Sequence, residues 1–335
     1  MFIVWRGFLY NQIDAILSQY EMEVYEVTKG RGTHICNTSK GKFVLTGFRG
    51  SKEKGDLLRE YLSKLKNQGF IVEQIEINKN GEAVTVDEET GERYILKDYI
   101  AGSELNVNRV KELKDAAILL AEYHNVSDGI QWNEIEESML CTQNVKEEKA
   151  RHYRELIKAK NYMRSKKKKN DFERIYLNQY DGMFQIAKKS LELLEKETED
   201  VITTGIGHGD YNQHNVLFVD GHWQIVNFEN FGMRWCILDV ANFLRKMLEK
   251  NDWEISVGTE IIDAYRKKRP LTEADWEKLY ALLLFPEKFW KVTNHYMNSR
   301  KTWISQRDIE KLKKVIEQEE KRLHFMQNLF AIQGE

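Results

Sequence analysis

The sequence predicts an α+β protein built from two unlike parts, and three observations carry that reading. Short β-branched runs alternate with glycine turns over roughly the first hundred residues. Apolar residues then recur at helical spacing over most of the remainder. A single β-like island interrupts that second part, near residue 220. A boundary near residue 100 follows, with residues 1–100 as the mixed part and 101–335 as the helical one.

In the first part, Asn11 is placed to cap a helix carrying Ile13, Ile16, Leu17 and Tyr20. Val24, Tyr25 and Val27 read as a strand entering the turn Lys29-Gly30-Arg31-Gly32. His34–Thr38 and Phe43–Thr46, joined by Ser39-Lys40-Gly41, read as a hairpin. Leu57, Leu58, Tyr61, Leu62 and Leu65 mark one face of a helix that Gly69 stops. Two strands, Phe70–Ile75 and Ala83–Val86, are expected around an Asn80-Gly81 turn, and Tyr94-Ile95-Leu96 forms the last strand before Lys97–Gly102.

In the second part, Val110, Leu113, Ala117, Leu120, Ala121 and His124 share a helix face, and the charged stretch from Glu134 to Lys196 reads as helical too. The island is a hairpin, Asn215–Phe218 and Trp223–Val226 about Asp220-Gly221. Helix follows to the end, and the broken heptad of Ile309, Leu312, Ile316, Leu323 and Phe330 suits a docked terminal helix better than a coiled coil.

Composition removes several functions. Lysine and arginine number 51 against 53 acidic residues, a net charge of −2, so nucleic-acid binding by bulk charge is excluded and Lys166–Lys169 reads as a solvated face or loop. No run approaches the roughly 20 apolar residues of a membrane span, and the first residues lack a basic, apolar export signal. Cys36, Cys141 and Cys236 are odd in number and form no C-x-x-C pair, which points to a reducing compartment and inert buried thiols. Two histidines six apart, His208 and His214, do not form a zinc pattern. The aromatics Phe285, Phe289, Trp290, Tyr296 and Trp303 are spaced for a core.

One stretch carries chemistry. Gly207-His208-Gly209-Asp210 is followed five residues on by Asn215, and a hairpin later by Val226-Asn227-Phe228-Glu229. Asp210 is suited to accept a hydroxyl proton, and Asn215 to offer an amide oxygen to magnesium.

These residues resemble the H-G-D-x-x-x-x-N loop and I-D-F-D/E strand of the aminoglycoside phosphotransferase and choline kinase superfamily. Leu119–His124 and Asp239-Val240-Ala241-Asn242 look like two further elements of it. Leu284–Trp290, Asn294–Ser299 and Phe48–Ser51 are similar to the CotS-type spore coat proteins, a branch of that superfamily. The resemblance spans nearly the whole chain. It implies a protein-kinase-like bilobal fold with a small mixed β-sheet N-lobe, a larger helical C-lobe and a hinge near Lys97–Gly102.

As to the site, it implies Asp210 as the base, Asn215, Asn227 and Glu229 as metal ligands, and Gly30, Gly32, Thr46, Glu60, Lys97 and Tyr99 on the nucleotide side. ATP and magnesium are the implied cofactors. Other spore coat proteins, with a small-molecule or nucleotide ligand, are the implied partners; the location is synthesis in the cytoplasm, then the spore coat.

Two departures weigh against turnover. The phosphate-gripping lysine of a V-x-K strand is replaced by Thr46 in Val44-Leu45-Thr46, and the metal-binding aspartate by Asn227. Two charge-assisted contacts of about 1.5–3 kcal/mol each correspond to a rate loss of roughly 10²–10⁴. Glu229, two residues on, is expected to share the strand face of Asn227 and so to restore a carboxylate; Arg49 or Lys29 is a candidate for the missing cation. The expected role is coat structure or assembly on a degenerate kinase scaffold, and the alternative is an active small-molecule phosphotransferase.

Overall fold

The protein is described by a computed structural model that covers residues 12–140, 144–196, 204–299 and 306–331. Asn11, Cys141 and Trp303 lie outside the described residues. Helix α1 (12–17) precedes β1 (Val24–Lys29), β2 (Thr33–Thr38) and β3 (Gly41–Gly47). Then come α2 (Lys52–Asn67), the short strands β4 (Ile75–Glu76) and β5 (Thr85–Val86), β6 (Arg93–Asp98) and β7 (Ser103–Glu104). Helices α3 (Val110–Asp128), α4 (Glu134–Met139), α5 (Val145–Ser165) and α6 (Asp171–Lys196) lead to β8 (Thr204–Gly207), β9 (Val216–Val219) and β10 (His222–Ile225). After β11 (Gly232–Trp235) the chain is helical: α7 (Cys236–Leu248), α8 (Ile255–Lys268), α9 (Glu273–Leu284), α10 (Glu287–Asn298), α11 (Gln306–Glu317) and α12 (Glu319–Ala331).

Two compact units result. The first comprises the described residues of Met1–Leu105, Tyr123–Cys141 and His208–Gly232, and the second those of Asn106–Glu122, Thr142–Gly207 and Met233–Glu335. The loop from His208 and the β9–β10 hairpin are therefore counted with the sheet-bearing unit.

In the first unit the sheet runs β1-β2-β3-β6-β4, with β5 also on β6. Strand period 2 divides its side chains between two faces. Phe43, Leu45, Cys36 and Leu96 pack with Ile13, Ile16 and Leu17 of α1, and with Tyr20 just beyond it, in one buried cluster. Val44, Thr46, Ile95 and Lys97 point the other way, because Val44 pairs with Lys97 and Thr46 with Ile95. Burial pushes the Cys36 thiol up to about 11, in keeping with an inert sulfur. A second sheet, β10-β9-β7, holds the hairpin, so Ser103–Glu104 adds a strand that sequence periodicity over two residues could not announce.

Helix α2 starts where Ser51 accepts the Lys54 amide and stops in a Schellman motif. There Gly69, at φ +87°, donates to Lys66 and Phe70 donates to Leu65. The expected hairpin about Asn80-Gly81 needs correcting. Strand pairing is confined to Ile75–Glu76 and Thr85–Val86, and both pair with β6 rather than with each other. Asn78 directs the connection, its side-chain oxygen accepting the amides of Asn80 and Glu82.

In the second unit, Leu156, Met163, Phe172, Tyr176 and Met183 of α5 and α6 form a core with Phe285, Phe289 and Leu312. The heptad of the final segment divides between α11 and α12, which break at Gln318. Lys166 ends α5 and pairs with Glu173, which is fully buried, so the lysine run is a connection with an internal anchor. Strands β8 and β11 pair in a two-stranded sheet that the sequence reading assigned to helix or left unassigned. Lys149 and Glu287 form a buried ion pair at 2.8 Å, and His152 stacks on Trp290 beside it.

Two outcomes test this packing. A Cβ on Gly55 of α2 would stand 2.1 Å from Val84 Cγ2. The overpacking cost of about 1–3 kcal/mol exceeds the ~1 kcal/mol that alanine adds to a helix. Gly55→Ala therefore lowers the urea midpoint, whereas a rise would refute the contact. Burial alone would disfavour the Glu287 carboxylate, yet Lys149, and then His152, hold its pKa well below the ordinary value. That stabilisation is present above the unfolded pKa and disappears as pH falls through the folded one. Lys149→Met should cost roughly 3–5 kcal/mol at pH 7 and less near pH 4, where Glu287 can take up a proton. Equal penalties at both pH values in urea unfolding would contradict the pairing.

Candidate functional site

From His208 onward, the residues of the chemistry-bearing stretch lie in the first unit. Gly209 adopts φ +82°, a left-handed turn that glycine makes without strain. His208 is fully buried; its Nδ1 accepts the Asp210 amide at 3.2 Å, so its Nε2–H donates to the Val226 carbonyl at 3.0 Å. The ring is thereby fixed in one neutral tautomer and sets the backbone of Asp210 against the end of the hairpin.

Asn215 Nδ2 donates to the Asp210 carbonyl at 2.8 Å and lies 3.3 Å from Asp210 Oδ2. The Val226 amide donates to the Asn215 carbonyl, which closes the hairpin and brings Asn227 alongside. Asn227 Nδ2 donates to Asn215 Oδ1 at 2.8 Å. Asp210, Asn215 and Asn227 thus form one hydrogen-bonded chain.

Asn227 itself is left-handed, at φ 68°, a region asparagine tolerates better than most residues. Beyond it, Phe228–Asn230 is a turn of 3-10 helix, not the strand expected for Glu229. The carboxylate arrives at the site all the same. Lys97 Nζ donates to Asn227 Oδ1 at 2.7 Å, to Glu73 Oε1 at 3.0 Å, and to Glu229 Oε1 in a short contact.

Only 2% of the Lys97 side chain and 3% of that of Glu73 are exposed, against 20% for Glu229. Burial works against the ammonium, but Glu73 and Glu229 outweigh it and the Lys97 pKa is raised. Burial raises the Glu73 pKa despite the opposing field of Lys97, and the Glu229 charge adds to the rise. Glu73 does more than pair: its Oε1 also accepts the Asn227 amide at 2.7 Å. Sequence reasoning missed it. The available signal was a lone carboxylate in the apolar run Phe70–Ile75.

The other predicted residues are distributed as follows. Thr46 shares the sheet face of Lys97, on the adjacent strand. Glu60 is about half exposed and pairs with Lys64 four residues on, at 3.1 Å, not with a site lysine. Arg49 is exposed, and the buried cation at the site is Lys97. Gly30 and Gly32 make the β1–β2 turn, with Gly32 at φ +73°. Between them Arg31 Nη1 lies 3.0 Å from the ring nitrogens of His214, and His214 Nδ1 is 2.6 Å from Glu104. The Tyr99 amide bonds to the Lys42 carbonyl at 3.1 Å, and its side chain is exposed.

A divalent ion does not fit this arrangement. Asn215 Oδ1 already receives the Asn227 amide, and the oxygens of Asn227 and Glu229 both receive the Lys97 ammonium. Among the described residues no cluster of three or more histidine, cysteine or acidic side chains is arranged to hold a metal.

An antiparallel sheet and an H-G-D loop in one unit, with a largely helical second unit, define the kinase-like phosphotransferase fold. The comparison with solved structures agrees. An aminoglycoside phosphotransferase from Alicyclobacillus acidocaldarius superposes with a TM-score of 0.76 at 19% identity, over 95% of both chains. A microcompartment-associated aminopropanol kinase gives 0.65 at 13%, covering 95% of this chain and 97% of its own.

Within that fold class the chain belongs to the family described as "Spore coat putative kinase YutH", whose model matches residues 13–329. It is also 22% identical to spore coat protein S of Bacillus subtilis, over 95% of this chain and 93% of the relative. The fold class and the family resemblance read from the motifs are both borne out.

The geometry separates two glutamates that helix position alone would rank the other way. Glu73→Ala leaves a buried ammonium short of a partner and orphans the Asn227 amide, and should cost about 3–5 kcal/mol. Glu60→Ala removes an exposed i,i+4 pair and should change stability by less than about 1 kcal/mol. Chemical denaturation of the two variants checks the order.

Proposed function

We propose that the protein is a kinase-like component of the spore coat that contributes to coat structure or assembly and does not turn over magnesium–ATP. One observation supports this reading above the others: the polar side chains that would hold the metal are bonded to one another and to Lys97. Thr46 offers no cation on β3, and the hinge amide of Tyr99 is engaged by Lys42. Family membership and the coat relative support a place in the coat, with other coat proteins as partners. Among the described residues no helix is long and apolar enough to cross a membrane.

A second reading, an active small-molecule phosphotransferase, has one observation in its favour. Asp210 and Asn215 keep the contact expected of a base beside a polar ligand. A relative in fold, a spectinomycin phosphotransferase, was solved with ADP and spectinomycin at a TM-score of 0.67, covering 92% of this chain and 96% of its own. On that reading Asp210 accepts a proton from an acceptor hydroxyl, and Lys97 is the cation that Thr46 does not supply.

One assay decides between them. Wild type and Asp210→Ala should give the same background phosphate transfer from ATP to hydroxylated acceptors, and magnesium–ATP should leave the melting temperature unchanged. Transfer by wild type that is lost in a folded Asp210→Ala variant would establish the enzyme instead.

A further inference from the structure

We infer that the Lys97 ammonium is a built-in substitute for a divalent metal ion: it fills an oxygen cage that would otherwise take up such an ion. Three oxygens from two separate parts of the first unit converge on Nζ. They are Glu73 Oε1 after α2, and Asn227 Oδ1 and Glu229 Oε1 after the hairpin. Two carboxylates and an amide oxygen are a hard donor set, of the kind that calcium and magnesium select. Here the cation that satisfies them is covalently part of the chain.

The cage depends on that cation. Without it, two carboxylates would face one another where Lys97 and Glu73 are almost wholly shielded from water. An ammonium is also the better fit to the spacing. Nζ stands 2.7 and 3.0 Å from Asn227 and Glu73, whereas magnesium demands about 2.0–2.1 Å in a strict octahedron. Calcium, at about 2.3–2.6 Å with flexible coordination, needs the smaller adjustment. It is therefore the ion that the cage would accept once the lysine is gone.

The inference deepens the proposed function but does not rest on it. Metal-free phosphate binding would leave it standing, and an inert protein that bound calcium here would overturn it.

The test uses the full chain. In the wild type, calcium or manganese chloride should produce no one-to-one binding by titration calorimetry and no rise in melting temperature. Lys97→Met replaces the ammonium with an apolar side chain of similar length. It should bind one calcium ion per chain, with a Kd on the order of 10⁻⁴–10⁻³ M, and melt higher as calcium is added. In the double variant Lys97→Met/Glu229→Gln that response should weaken at least about tenfold, since one anionic ligand is lost.

A folded Lys97→Met that ignores calcium overturns the inference. Should that variant fail to fold even with calcium, manganese resonance on the wild type decides. A bound ion that disappears in Glu229→Gln overturns the idea, and no bound ion sustains it.

Discussion

The buried ammonium of Lys97 is the constraint around which the first unit is organised. Taking a charge out of water costs several kcal/mol, and the cost is met only where several partners converge with good geometry. Here Glu73, Asn227 and Glu229 do so, and each is displaced from where regular structure would leave it. The chain after α2 must bring Glu73 inward. Asn227 must turn left-handed so that its amide serves Glu73 while its side chain serves Asn215 and Lys97. Glu229 must come round on a 3-10 turn.

Burial and the charge balance together set the direction of the pKa shifts in the cluster. One ammonium faces two carboxylates, so the cluster carries one negative charge too many when all three are ionised. Burial first, and the Glu229 charge after it, push the Glu73 pKa up, while Glu73 and Glu229 hold the Lys97 proton more tightly. A further cation would relieve the imbalance, but Lys97 occupies the point where its ligands meet. Lys97 thus offsets one of the two carboxylate charges from within the fold.

The sequence revealed the local elements well and the long-range cluster poorly. The β2–β3 hairpin, the α2 stop at Gly69 and the β9–β10 hairpin were legible because turn residues and side-chain period act over a few positions. Lys97 reads as the polar end of an apolar strand. Which face it takes follows from its pairing with Val44, fifty-three residues earlier. Its partners lie 24, 130 and 132 residues away. Glu60 shows the converse. Its position on α2 matched the expected ion-pair partner, yet α2 presents it to solvent and to Lys64. The short strand β7 escaped for a simpler reason, since two residues carry no period.

The H-G-D loop bears on how such motifs should be weighed. His208 fixes the Asp210 backbone to the hairpin, Asn215 caps the Asp210 carbonyl, and Asn227 ties Asn215 in place. None of these bonds needs a nucleotide or an ion. Each satisfies a polar group that would otherwise be costly to bury. The motif residues therefore have a structural occupation that persists whether or not phosphate is transferred, and their presence says little about turnover. Departures from the motif say more. A threonine at position 46 and an asparagine at 227 leave the loop's own bonds intact while withdrawing a cation and an anion from the site. The arrival of Lys97 from the adjacent strand, and of Glu73 and Glu229 around it, is what makes those two withdrawals compatible with a folded core.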